Sequence, residues 1–280
     1  MKKGLVLEGG GVRGIYTAGV LDIFMEENLP FDGVIGVSAG ACHACSYLSD
    51  QKGRSLRYYK EYCADPRFMS FRNWIKTGDF VGVDFSYHEL PEKLDLYDYD
   101  AFKKCEIPFF AVCSNVETGK AEYVRITDML EEIDVVRASS SLPYFSRIVE
   151  FRGKKWLDGG CCDAIPVMAF RGMGFEKNVV VLTRPKDYVK KPEMAFLTKL
   201  FYRKYPKFMD ALYRRHEMYN QTLVLIDELE KKGEIFVIRP ETALPASRIE
   251  HDRNKVEQTY NIGVGDAKRA MEKLKDFLGE

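Results

Sequence analysis

The chain has 280 residues, with 42 Lys plus Arg balancing 42 Asp plus Glu, and 46% apolar residues. That length fits one large α/β domain or two small ones, the apolar content supports a packed core, and the charge balance provides no global field to attract nucleic acid. Seven irregularly spaced cysteines, no run near the ~20 apolar residues of a membrane helix, and a leader-like Met1-Lys2-Lys3 start cut short at Glu8 together predict a cytoplasmic protein without a secretory signal.

Strand and helix signals alternate from the start, which predicts a mainly parallel sheet covered by helices. Lys3–Leu7 reads as the first strand and Ile15–Glu27 as a helix. Leu29-Pro30-Phe31-Asp32 breaks the chain before a short buried strand, Gly33–Val37, and a small-residue helix, Ala39–Leu48. One aromatic-rich helical region is expected from Leu56 to Ile75, and a helix or turn-rich connection over Asp84–Leu94. Ile107–Asn115 and Ala121–Ile126 read as a strand and its return across Gly119. Thr127-Asp128 caps a helix over Met129–Ser139. Arg147–Phe151 and Lys155–Leu157 flank Arg152-Gly153 as a hairpin. Asn178–Thr183 and Glu234–Ile238 are late strands. A last helix over Lys255–Leu278 is weakened in its middle by Gly263 and Gly265. No linker signal interrupts this order, so residues 1–280 are expected to form a single domain.

Three blocks carry chemistry. Gly36-Val37-Ser38-Ala39-Gly40 is a G-x-S-x-G pentapeptide between a strand and a helix. A serine there sits on a sharp turn, with helix N–H groups and a favourable dipole beside its hydroxyl. Glu8-Gly9-Gly10-Gly11-Val12-Arg13-Gly14 follows the first strand and offers consecutive backbone N–H groups that can hold an oxyanion. Its glycines also match the dinucleotide fingerprint, but that reading wants an acidic residue closing the second strand. Here Asp32 precedes the strand, and Val37-Ser38 ends it. Trp156-Leu157-Asp158-Gly159-Gly160 places a carboxylate in a tight turn, either as a base or as an ordinary hairpin turn.

Together the blocks resemble the bacterial patatin-like phospholipase family. That family orders a glycine-rich oxyanion loop, a G-x-S-x-G serine and a D-G-[AG] aspartate in this way. The resemblance covers residues 3 to 185. It includes a softer block, Ala138-Ser139-Ser140-Ser141-Leu142-Pro143-Tyr144-Phe145, similar to the family's serine- and proline-containing loop. It implies a three-layer α/β/α sandwich and a serine acyl hydrolase of the phospholipase A, lysophospholipase or esterase kind. It also implies a Ser38–Asp158 dyad, an oxyanion hole from Gly9, Gly10 and Gly11, and supporting roles for Arg13, Gly14, Gly36, Gly40, Gly159 and Gly160. The implied substrate is a lipid acyl ester. Neither metal nor cofactor is expected, and no carboxylate-rich calcium loop is evident.

An aspartate ordinarily ionises near pH ~3.9, so it serves as a base for a hydroxyl only where it is desolvated or the alkoxide is strongly stabilised. A Ser–His–Asp esterase using His216 or His251 is therefore the main alternative, and a non-catalytic lipid- or acyl-binding protein is another. His43, one helical turn past Ser38, either lines the pocket or packs in the core. Cys42-His43-Ala44-Cys45 reads as small-residue packing, because a zinc site needs further ligands. Arg13 either meets a lipid phosphate or steadies the loop through a carboxylate. Between Arg184 and Arg215 stand ten basic and three acidic residues, interleaved with aromatics. They suit either an anionic membrane interface or a helical pair with a solvated basic face.

Overall fold

The computed structural model describes residues 1–192 and 195–280. Eight strands form one sheet: β1 Lys3–Leu7, β2 Gly33–Val37, β3 Phe109–Asn115, β4 Lys120–Ile126, β5 Val149–Phe151, β6 Lys154–Asp158, β7 Lys177–Val181 and β8 Ile235–Ile238. Their order is β5-β6-β3-β2-β1-β7-β8, with β4 also on β3. The central pairs β1–β2, β1–β7, β2–β3 and β7–β8 are parallel. Pairs involving β4, β5 and β6 are antiparallel.

Alternation along the strands splits the apolar side chains between two layers. Leu5, Leu7, Val34, Ala111 and Val179 pack under α1 (Ile15–Glu26), α2 (Ala39–Leu48), α6 (Met129–Ser140) and α10 (Arg253–Leu278). Val6, Ile35, Val37, Val112 and Val180 pack under α7 (Val167–Gly172) and α9 (Pro206–Lys231). The result is the expected three-layer α/β/α sandwich, and both faces of the central strands are dry. Each buried Val, Leu or Ile side chain among them contributes about 1.5–3 kcal/mol.

The expected helix over Leu56–Ile75 is instead two, α3 (Arg54–Tyr62) and α4 (Phe71–Thr77). Asp65-Pro66 interrupts it, because the residue before a proline is disfavoured in helical geometry. Ser70 restarts the chain, its hydroxyl accepting from Asn73 N–H at 3.1 Å. The Asp84–Leu94 connection is a π-helix over Phe85–Leu94 with Pro91 inside it. After it, α5 spans Tyr99–Lys104. With α3 and α4, the π-helix builds a satellite core of Tyr58, Tyr59, Phe68, Phe80, Phe85 and Leu90 over the start of α1.

α10 runs unbroken through Gly263 and Gly265. A Cβ at Gly263 would lie 2.1 Å from Tyr16 O, and one at Gly19 would lie 2.3 Å from Tyr260 O. The glycine thus lets α10 approach α1 closely rather than weakening it. α8 (Ala195–Tyr202) and α9 follow β7. Within the basic segment 184–215, residues 193 and 194 lie outside the described residues.

Candidate active site

Strand β3 acts as the ruler of the site. β4 pairs along all of Phe109–Asn115 and so occupies one edge. On the other edge β2 pairs from Val34↔Phe109 to Val37↔Val112, and β6 takes over at Cys113↔Asp158. β2 and β6 therefore meet end to end. Ser38, the next residue after Val37, and Asp158, the last of β6, emerge at adjacent steps of the same strand.

Ser38 has φ 54° and ψ −124°, a left-handed conformation that costs a non-glycine residue about 1–3 kcal/mol. This is the strand-to-helix turn expected of the pentapeptide, and it turns the chain directly into α2. The Ser38 N–H donates to Ser139 Oγ at 3.0 Å, and the Asp158 N–H donates to Ser141 O at 2.8 Å. One short segment at the end of α6 thus fastens both residues. Asp158 is buried, and its carboxylate accepts from Gly160 N–H at 2.7 Å. Ser114 Oγ holds the Asp158 carbonyl at 2.8 Å, and the guanidinium Nε of Arg215 donates to Gly160 O at 2.6 Å.

The glycine loop lies against the elbow. A Cβ at Gly9 would stand 2.9 Å from Ser38 Cβ, so no side chain fits there. Gly11 has φ +59°, and Val12 N–H donates to Arg248 O at 3.0 Å, which ties the loop to the C-terminal part of the chain. Gly10 lies beside Thr183 Oγ1, Gly14 beside Ala39, Gly36 beside the backbone of Ala41, Gly40 beside the Leu7 carbonyl, and Gly159 beside the Val112 carbonyl. Glu8 is held by Tyr219 OH at 2.5 Å and by Thr183 N–H at 2.6 Å. Burial, with Glu8 beside it, raises the Tyr219 phenol well above its ordinary range, so Tyr219 remains a donor.

Two chambers meet at Ser38, sharing Gly11, Leu142 and Arg248. One is apolar, about 150 Å³, with walls that include Tyr58, Met69, Phe80, Leu90, Met129 and Val136. The other is polar and contains Gly9, Gly10, Asp158, Arg13, Arg184, Lys190 and Arg215. Arg13 is buried, and among the described residues it makes no hydrogen bond or ion pair; its Nε has no partner. The carboxylate pairing considered for it is therefore not found. Burial first, then repulsion from Arg184, lowers its pKa to about 10.

Among the described residues no histidine lines either chamber. His43 is buried behind the elbow with Nδ1 3.0 Å from Ser55 Oγ, and burial pushes its pKa down to about 3. His251 Nδ1 is 2.6 Å from Cys63 O, and exposed His88 is 3.4 Å from Glu92. Cys42 reaches the apolar chamber, but burial raises its thiol to about 11. Cys45 points to Ala41 O at 3.3 Å. Sequence reasoning named the elbow, the loop and Asp158. It noticed the serine block without a role for Ser139 or Ser141, and it read Arg184 and Arg215 as part of a surface segment. Arg215 is instead buried beneath the Asp158 turn.

The fold thus brings together a serine at a strained elbow, a glycine loop against it and a buried aspartate one strand-step away. The family described as Patatin-like phospholipase matches residues 5–171, and the chain belongs to it. A second family, described as Domain of unknown function (DUF6363), matches residues 205–279. The chain is 32% identical over 197 residues to YjjU of Escherichia coli K12, described as uncharacterized, covering 68% of this chain and 54% of that one. It is 28% identical over 183 residues to Lysophospholipase NTE1 of Saccharomyces cerevisiae, covering 61% of this chain and 10% of that one. The chain thus spans about half of the first relative and a tenth of the second. The crystal structure of VipD from Legionella pneumophila is similar with a TM-score of 0.44 and 15% identity, covering 94% of this chain and 67% of that one.

Proposed function

We propose that the protein is a serine hydrolase of lipid acyl esters working through a Ser38–Asp158 dyad. The observation that carries this reading is the register on β3, where Val37↔Val112 is followed by Cys113↔Asp158. Ser38 Oγ attacks the ester carbonyl and its proton passes to the Asp158 carboxylate. The Gly9–Gly11 N–H groups, with the N-terminus of α2, stabilise the oxyanion. Asp158 returns the proton to the departing alcohol. A water deprotonated by Asp158 then cleaves the acyl-serine, releasing the fatty acid and restoring Ser38. The apolar chamber suits one acyl chain, and the lysophospholipase name of the fungal relatives agrees with a monoacyl substrate. The histidines' positions speak against the triad alternative.

We further infer that the chain is a single domain, because β7 and β8 extend the sheet that carries the site. The substrate is taken from an anionic membrane surface. On α8, Phe196, Leu200 and Phe201 are exposed among Lys199, Arg203 and Lys204. α4 adds exposed Phe71 and Ile75, and Ile75 shares a surface groove with Phe201. No helix among the described residues is long and apolar enough to cross a membrane.

A fluorophosphonate probe tests the catalytic reading. It should label the wild-type protein at Ser38 and fail on Ser38→Ala. Labelling of Asp158→Asn should be slowed by orders of magnitude. A folded wild-type protein that resists the probe would make it an acyl-binding protein instead.

A further inference from the structure

We infer that the substrate's head is an anionic phosphomonoester, bound in the polar chamber by Arg184 together with Arg13. This deepens the acyl-hydrolase reading and rests on it. Arg13 and Arg184 line the chamber next to Ser38; Arg13 is buried with its Nε unpartnered, and half-buried Arg184 lies over the Tyr188 ring, its donors in the same chamber. The buried Arg13 Nε is thus left without an acceptor beside a second guanidinium in the same cavity. A buried guanidinium without an acceptor is costly, and a ligand oxyanion removes that cost. Arg184 also depresses the Arg13 pKa, as expected of two cations sharing a space that an anion would relieve.

Among the described residues, the chamber carboxylates Glu8 and Asp158 are engaged by the protein itself. Glu8 is bound by Tyr219 and Thr183, and Asp158 by Gly160 N–H. The chamber's two tyrosine rings are engaged as well. Arg184 lies 4.2 Å from the Tyr188 centroid, and Lys190 lies 5.5 Å from that of Tyr219. A quaternary ammonium needs an open aromatic face or a free carboxylate, so a phosphocholine head finds no seat. A phosphomonoester brings a charge of about −1.5 to −2 and three acceptor oxygens to two guanidiniums.

Arg184 lies beyond the patatin match, and Arg248, in the second match, borders both chambers. Selectivity for the head would thus be set in part outside the stretch of chain that holds the reacting groups, by Arg184 acting with Arg13.

Binding to Ser38→Ala protein, which keeps substrate intact, tests this by calorimetry below the critical micelle concentration. A 1-acyl-glycerol 3-phosphate should bind at least about tenfold tighter, ~1.4 kcal/mol, than the matching monoacylglycerol or the matching phosphocholine lipid. Adding Arg184→Gln should bring the three lipids within about threefold of one another, and Arg184→Lys should restore part of the preference. Equal affinities in the Ser38→Ala protein, or a preference that survives Arg184→Gln, would overturn the assignment. Inorganic phosphate binding as tightly as the phosphorylated lipid would overturn it too, by giving the chamber to a soluble anion. Wild-type turnover of all three lipids without preference defeats this inference alone, whereas no turnover of any ester defeats the hydrolase reading.

Discussion

Replacing Gly9 with alanine separates the glycine loop from Ser38, the proposed nucleophile, by adding one methyl group. That methyl would stand 2.9 Å from Ser38 Cβ and 2.9 Å from Val37 O. Carbon atoms settle at about 3.5–4.0 Å, so loop and elbow must part by roughly 0.6–1.1 Å. Neither neighbour can yield by rotating a flexible side chain, because Val37 O is backbone and Ser38 is held at φ 54°. A displacement near 1 Å in a reacting geometry costs about 10²-fold in rate, and loss of one oxyanion donor costs ~10²–10³-fold. Overpacking should destabilise the protein by about 1–3 kcal/mol, a fall of several degrees in Tm. We expect kcat on a short soluble ester, per probe-reactive site, to drop about 10²-fold in a protein that still melts cooperatively. Gly172→Ala is the control, since nothing lies within 4 Å of its added methyl. A Gly9→Ala protein with kcat within about threefold of wild type would mean that the loop does not define the oxyanion site.

Asp158→Asn keeps the shape but cannot accept a proton, so ester turnover should fall nearly to the Ser38→Ala level, while His216→Ala and His251→Ala retain most of it; a dead histidine variant would replace the dyad with a triad. His43 has a folded pKa pushed down by burial to about 3 from 6.5. The unfolded chain therefore takes up this proton first, and the stability His43 contributes is full above pH 6.5 and lost as pH falls toward 3. The loss at pH 4 is on the order of 3 kcal/mol, so His43→Leu should show a flatter acid limb in urea titrations; parallel limbs would refute the assignment. Binding to anionic vesicles should weaken with salt, since exposed charges are screened within ~10 Å at 0.1 M. It should also weaken when Lys199, Arg203, Lys204 and Lys207 are reversed to Glu, with soluble-ester turnover little changed. Equal binding to neutral and anionic vesicles would leave α8 with a merely solvated basic face.

The central fold was legible because its strands are short, β-branched and punctuated, as in Gly33–Val37 and the Val179–Val181 run. The elbow and loop were legible because glycine and serine spacing is a local pattern. What escaped was set by contacts distant in sequence. Nothing near Arg215 announces that its guanidinium reaches Gly160, 55 residues upstream. A basic segment looks the same whether its arginines meet water or a buried carbonyl. The single helix expected over Leu56–Ile75 is two because Asp65-Pro66 breaks a segment whose aromatic residues otherwise read as continuous. Gly263 misled because helix propensity says nothing about a neighbouring helix, here Tyr16 on α1.

The two family matches divide the site along a physical line. The proposed reacting groups, Ser38, Asp158 and the glycine loop, fall within residues 5–171 and are positioned by strands β1, β2, β3 and β6. Residues of the second match, 205–279, then close over them: Arg215 grips the Asp158 turn, Tyr219 binds Glu8 at the base of the loop, and the Arg248 carbonyl receives the Val12 N–H. Each of these contacts reaches a backbone or carboxylate group near Ser38, and none of the three belongs to the proposed dyad or oxyanion loop. An element of this kind can alter which head enters, and how firmly the loop is held, without disturbing the register on β3. Variation in the C-terminal part should therefore move substrate preference more readily than it moves the chemical step.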